Sequence, residues 1–297
     1  MPSWTTSMAV VVGCYLVAGL AGWAVWRLAS TAHPVTAAFG ADLAATVVVF
    51  AGSTVLANAS LYDPYWSVAP PLIVAGWIVA GDGGVGARQA VVLLLVAVWA
   101  VRLTANWAIG WAGLGHEDWR YRSLRERTRG RLPWWLVNLG GIQLMPTLVV
   151  FAGLLSAWPA VVGDRPVGPL DGLAALVTSA AIVLEAVADR QRRHFVSEPA
   201  NRGRVLDHGV WRFSRHPNYL GEIGFWWGLW LFGLAAAPHW WWTVAGPLAM
   251  VALFVGVSIP MMDRRSLARR PGYAAHMARV PALLPLPRPN RGRTPGS

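Results

Sequence analysis

Long apolar stretches broken by short polar ones set the pattern of this chain. Runs near 8–28, 41–60, 67–80, 89–111, 134–156, 170–188, 221–236 and 241–260 are almost free of charge. A hydrocarbon core of roughly 30 Å is crossed by about 20 helical residues. The pattern therefore predicts an all-α fold, a polytopic membrane helical bundle. The third and seventh runs are short, which puts the expected number of spans at seven to eight. The first run is too long for a signal-peptide core, and neither a preceding basic residue nor a small-residue cleavage site accompanies it. It is read as a span.

The breaks between runs carry their own information. Ser60-Leu-Tyr-Asp-Pro-Tyr-Trp-Ser-Val-Ala-Pro-Pro71 places one acid and three prolines between and within apolar spans. Proline frees backbone carbonyls, and at membrane depth such a break is tolerated only where it faces protein or a wet cavity. Tryptophans gather near span ends, at Trp134–Trp135, Trp226–Trp227 and Trp240–Trp242, as headgroup-level anchors do. No internal repeat or long linker divides the chain, so one membrane domain over 1–297 is the simplest partition. A Pro/Arg-rich tail begins at Pro281, with 288–297 expected to be disordered.

Composition agrees with the pattern: 55% of the residues are hydrophobic and only 13% charged, too little polar surface for a soluble domain. The net charge of +11 would suggest nucleic acid in a soluble protein. Here, however, every basic residue is arginine, and 21 of the 25 fall in Arg120–Arg131, Arg190–Arg215 and Arg264–Arg293. Two spans separate each segment from the next, so all three emerge on one face, which the positive-inside rule makes cytoplasmic. No nucleic-acid partner is expected, and a bacterial inner membrane is the expected location. The side of the amino terminus depends on whether 41–80 holds one crossing or two. The single cysteine, Cys14, allows no intramolecular disulfide, and the consecutive His116-Glu117-Asp118 cannot converge on one ion, so no metal is expected.

Candidate chemistry concentrates in Asp189-Arg-Gln-Arg-Arg-His-Phe195, Asn201-Arg-Gly-Arg204 and Gly209 through Glu222. Arginine forks match phosphate oxygens, aromatic faces accept bases, and amides or acids fix a carboxamide or ribose hydroxyl. A phosphorylated dinucleotide would use all of these, although arginines pinned to lipid headgroups explain the basic residues equally well. Asn218 and Glu222 lie four apart at the start of an apolar run, where an unpaired acid is costly.

Arg215-His-Pro-Asn-Tyr-Leu-Gly-Glu222 resembles the C-terminal signature of the steroid 5-alpha-reductase-like membrane reductases, the DUF1295 group in particular. Ser60–Pro70, Asn106-Trp107, His116 through Tyr121, Asp189–Phe195, and Pro271-Gly-Tyr273 through Pro285 are similar to that group in the same order, covering about 55–287. The resemblance implies NADPH in a cavity open to the cytoplasm and hydride transfer to an activated carbon–carbon double bond of an apolar lipid or steroid-like enone. It puts cofactor contacts on Asp189, Arg204, Asn218 and Glu222, with Arg215, His216 and Tyr219 in the same motif and Asp263, Arg264 and Tyr273 completing the pocket. It also puts the substrate's carbonyl partner at Asp63. For that role the carboxyl must keep its proton near neutral pH, which burial can arrange; an Asp-Pro turn cap is the plain alternative. Steroid-reducing members pair this acid with a tyrosine on the following span, where this chain reads Arg102-Leu-Thr-Ala-Asn-Trp107, so Tyr62 or Tyr65 is expected to supply the phenol, with Asn106 or Trp107 lining the cavity. No Gly-x-Gly-x-x-Gly fingerprint is present.

Two other functions fit parts of the pattern. Isoprenylcysteine and phospholipid methyltransferases, which use S-adenosylmethionine, share an Arg-His-Pro-x-Tyr-x-Gly signature and an ending like Arg279-Val-Pro281. They carry an adjacent glutamate pair where this chain has Met261-Met-Asp-Arg264. A transporter would use the break at Asp63 as a solute site but has no use for the arginine and aromatic motif.

Overall fold

The computed structural model describes residues 3–81 and 86–284, and among these every regular element is helical. Helix α1 spans Trp4–Leu28 and α2 spans Pro34–Val55. Each begins on a side-chain cap: Ser3 Oγ accepts from Thr6 N at 3.2 Å, and His33 Nδ1 from Val35 N at 3.2 Å, with Pro34 in the first turn. A 3-10 turn, Ala59–Tyr62, leads into α3, Tyr65–Ala80. Next come α4 (Ala87–Gly110), the polar α5 (Trp119–Thr128), α6 (Trp134–Val162), α7 (Pro169–Ser197), α8 (Pro217–Ala236), α9 (Pro238–Arg269) and the short α10 (Tyr273–Arg279).

Six of these, α1, α2, α4, α6, α7 and α9, are long and apolar enough to cross a membrane. The eight apolar runs of the sequence all coincide with helices, but α3 has only 16 residues and α8 is rich in glycine and tryptophan, so neither meets the same standard. Outward-facing apolar side chains support the membrane reading: Leu20 is 66% exposed, Leu28 85% and Val79 86%. Such a surface is stable in lipid and a liability in water.

Two compact units divide the described chain. The first comprises residues 1–179 and 225–250, and its core is aromatic. Trp99 stacks on Phe225 with centroids 4.5 Å apart and meets Trp226 edge-on, while Trp77 packs edge-on against Phe151 and Trp158. Polar groups inside this unit bond to one another. Arg88 at the start of α4 makes a fork to Asp171 at the start of α7, with Nε to Oδ1 at 2.6 Å and Nη2 to Oδ2 at 3.0 Å. It also donates to the carbonyls of Arg165 and Pro166. In α6 a π-helical stretch, Asn138–Leu144, aims Asn138 and Gln143 at Ser53 of α2, at 3.1 and 2.8 Å. The second unit comprises 180–224 and 251–297, and includes the ends of α7 and α9, the start of α8, and α10.

Backbone approach fixes the helix spacing at one point in the first unit. A Cβ on Gly246 would clash with the carbonyl oxygen of Ala152, whereas one on Gly13 would meet no heavy atom within 4 Å. Gly246→Ala should therefore lower stability by about 1–3 kcal/mol, while Gly13→Ala leaves it unchanged, as read by thermal denaturation of the purified protein in detergent.

Candidate functional site

Asp63 follows the 3-10 turn, and the loop that holds it is assembled from the stretch before α5. Asn58 donates to the carbonyls of Leu114 (2.7 Å) and His116 (3.2 Å), Glu117 accepts from Ala59 N (3.0 Å) and from Arg125 Nη2 (3.0 Å), and Asp118 N–H donates to Ser60 Oγ (2.8 Å). Asp118 also caps α5 through Arg120 N at 2.8 Å. Glu117 and Asp118 thus clamp the Asp63 turn.

The phenol on Asp63 belongs to Tyr121, whose hydroxyl donates to Asp63 Oδ1. Tyr62 and Tyr65 have other partners: the Tyr62 and Thr147 hydroxyls lie 2.7 Å apart, and Tyr65 donates to Asp42 Oδ1 at 2.7 Å. Trp107 stacks on Trp111 and packs against the apolar cluster containing Tyr62 and Tyr65. Burial pushes the Asp63 carboxyl up to about 6, and the Arg120 guanidinium 3.7 Å away and the Tyr121 hydrogen bond hold it from rising further. Tyr121 escaped the sequence reading because it sits 58 residues from Asp63, and its only signal was membership of the His116–Tyr121 motif.

In the second unit two stretches far apart in sequence join. Arg215 N and His216 N donate to the carbonyls of Pro281 (2.9 Å) and Ala282 (3.1 Å), Ser214 Oγ donates to Ala282 O (3.0 Å), and Arg215 Nη1 donates to Val280 O (2.6 Å). Asp263 gathers the side chains. Arg215 Nη2 reaches Oδ2 at 2.8 Å, while His216 Nε2 and the Tyr273 hydroxyl meet Oδ1 at 2.9 and 2.5 Å. His216 stacks on Tyr219 at 5.3 Å, and Tyr219 packs on Phe254. Both Asp263 oxygens are committed, so this residue positions Arg215, His216 and Tyr273. Burial and the adjacent carboxylate push the Tyr273 phenol up.

Asn218 and Glu222 share one face of α8, and Glu222 is buried. The intervening glycine has a packing reason, since a Cβ on Gly221 would strike Glu185 Cγ and the Ala181 carbonyl of α7. Asp189 is buried on α7, whereas Arg264 is exposed beside Asp263. Arg204 lines a separate polar cleft of about 560 Å³ with Phe195, Asp207, His208, His276 and Arg279. Burial lowers the His276 imidazole below its ordinary value, leaving it neutral near pH 7. Arg215 Nε is buried without an acceptor among the described residues. The tail 288–297 and Pro285 lie outside the described residues.

The fold and these two clusters define an all-helical integral membrane protein with an arginine- and histidine-rich polar unit. The chain belongs to the DUF1295 family, described as a protein of unknown function, whose profile matches residues 49–280. It is similar to an uncharacterized protein of Schizosaccharomyces pombe, 27% identical over 255 residues that cover 77% of this chain and 73% of the relative. No solved structure matches it.

Two measurements check this geometry. The Asp63 carboxyl, with its folded value raised, binds its proton more readily in the folded state, so its contribution to stability is fully present below the unfolded value and is lost as pH rises through about 6. Infrared titration should show a protonated carboxyl disappearing near pH 6 that is missing in Asp63→Asn and shifted to higher pH in Tyr121→Phe. Asp263→Ala leaves a buried arginine without its carboxylate and should cost about 3–5 kcal/mol, measured as a lower Tm in detergent.

Proposed function

We propose that the protein is an NADPH-dependent membrane reductase, similar to the steroid 5-alpha-reductase-like enzymes, that reduces an activated carbon–carbon double bond in an apolar lipid or steroid-like enone. The observation that carries this reading is the second unit, where motif residues from 215–222, 263 and 273 form one cluster. The donor set fits a phosphorylated dinucleotide. Arg204 and Arg279 offer guanidinium forks, Phe195 and His208 offer ring faces 5.8 Å apart, and Arg215 Nε retains an open donor. Asp189, Asn218, Tyr219 and Glu222 would hold the rest of the dinucleotide, with Arg264 at its exposed margin.

When bound, NADPH would supply the hydride for the carbon beta to the substrate carbonyl, and water or a phenol would return a proton to the alpha carbon. Below its value of about 6, Asp63 carries a proton that it would donate as a hydrogen bond to such a carbonyl, drawing charge onto the oxygen. Tyr121 donates to Oδ1 of the same carboxyl. On this reading α3 and α8 complete eight crossings, and the arginine-rich segments and cofactor face the cytoplasm of the host cell, the inner membrane in a bacterium.

Purified protein should bind NADPH at least tenfold more tightly than NADH or S-adenosylmethionine. Arg204→Ala and Glu222→Ala should each weaken NADPH about tenfold, the loss of roughly one charge-assisted hydrogen bond. Preferential binding of S-adenosylmethionine would replace this reading with the methyltransferase one.

A further inference from the structure

Three helices of the first unit line a second, apolar cavity of about 390 Å³ that is half open, with Trp23 and Leu72 exposed at its margin. It lies within the roughly 300–1,000 Å³ typical of small-molecule sites. On α1 its wall runs from Tyr15 through Gly19 and Gly22 to Trp26, spacings that keep one helical face toward the cavity over about 17 Å. Small residues on α2, Ala38, Ala41 and Ala45, make the second wall, and the residues from Tyr65 to Gly76 of α3 make the third. Asp63 does not line it.

One polar pair interrupts this apolar lining. Asp42, on α2, is 6% exposed, and its neighbour Tyr65 is 5% exposed. The Tyr65 hydroxyl gives its proton to Asp42, reaching Oδ1 at 2.7 Å and the backbone carbonyl at 3.0 Å. Among the described residues no cation pairs with Asp42, and its second carboxyl oxygen has no protein donor. Asp42 stands eight residues into α2, about 12 Å along the helix from Pro34. At such depth an acid is expensive and, where retained, marks a ligand or ion path.

We propose that this cavity binds a membrane-dissolved lipid alcohol, its apolar body against α1, α2 and α3 and its hydroxyl donating to Asp42. With the phenol proton already given to Asp42, the pair presents an acceptor to the cavity, which selects a hydroxyl over an ether. The other polar atoms of the lining are the Tyr15 hydroxyl, which is spent on the Leu61 carbonyl at 2.8 Å, and the indole N–H groups of Trp23 and Trp26; no charged partner for a phospholipid headgroup is among them, so a ligand with a small uncharged oxygen function is matched. The site is independent of the reductase reading, because neither the cofactor cluster nor Asp63 takes part in it.

The test is equilibrium binding of tritiated farnesol to the purified full chain in nanodiscs, without NADPH, with farnesyl methyl ether as competitor. Saturable farnesol binding that the ether displaces at least tenfold less well than unlabelled farnesol is expected. Asp42→Asn should lower farnesol affinity about tenfold. Gly19→Leu should abolish binding by filling the cavity, and it does so without a clash because a Cβ at Gly19 meets no heavy atom within 4 Å. NADPH binding should be unchanged in both variants, which separates this site from the cofactor site. Equal displacement by the ether, or undiminished farnesol binding in both variants, would overturn the proposal.

Discussion

Inside hydrocarbon a polar group can bond only to other groups of the same chain, and the placement of polar residues here follows from that constraint. Arg88 meets Asp171 through two parallel hydrogen bonds and spends two further donors on carbonyls. Ser53, Asn138 and Gln143 close a small amide and hydroxyl network, and Thr46, Thr147 and Tyr62 form a chain of hydroxyls across α2, α6 and the 3-10 turn. Each arrangement ties together elements far apart in sequence, so the need to satisfy polar groups also specifies which helices are neighbours. The aromatic core around Trp99 and Trp77 then fills the remaining space.

The same constraint separates structural acids from those available for chemistry. Asp171 and Asp263 have both oxygens occupied by arginine, histidine, tyrosine or backbone donors and act as fixed hubs. Asp63 holds the Tyr121 phenol with the Arg120 guanidinium 3.7 Å away, and Asp42 holds the Tyr65 phenol. A phenol with no guanidinium fork leaves a carboxylate less fully committed, so these acids keep more capacity for a further ligand.

Much of the fold was legible because a membrane helix announces itself by composition: all eight apolar runs fall on helices, with ends shifted by up to nine residues. The loop motifs were legible too, since Arg215–Glu222 and the segment from 271 onward meet in one unit. What the sequence did not expose were pairings across long separations. Tyr62 and Tyr65 stood beside Asp63 in the sequence, yet a 3-10 turn followed by a helix points them at Thr147 and Asp42, and the phenol at Asp63 comes from Tyr121. Asp42 lay within an apolar run as its single charged residue with no local motif, and only the packing of three helices shows the cavity that it faces. Asp263 had the right neighbourhood, but its role changed once its three side-chain hydrogen bonds could be counted against two oxygens.

The pairing of Ser214–His216 with the segment ending at Ala282 bears on how the protein is made. Chains enter the membrane in order of synthesis, and the backbone partners of Arg215 and His216 are translated more than sixty residues later. The Arg-His-Pro motif therefore waits, incomplete, while α8 and α9 are synthesised, and the Arg279-Val-Pro281 segment acts as a latch that sets it only after α9 has emerged.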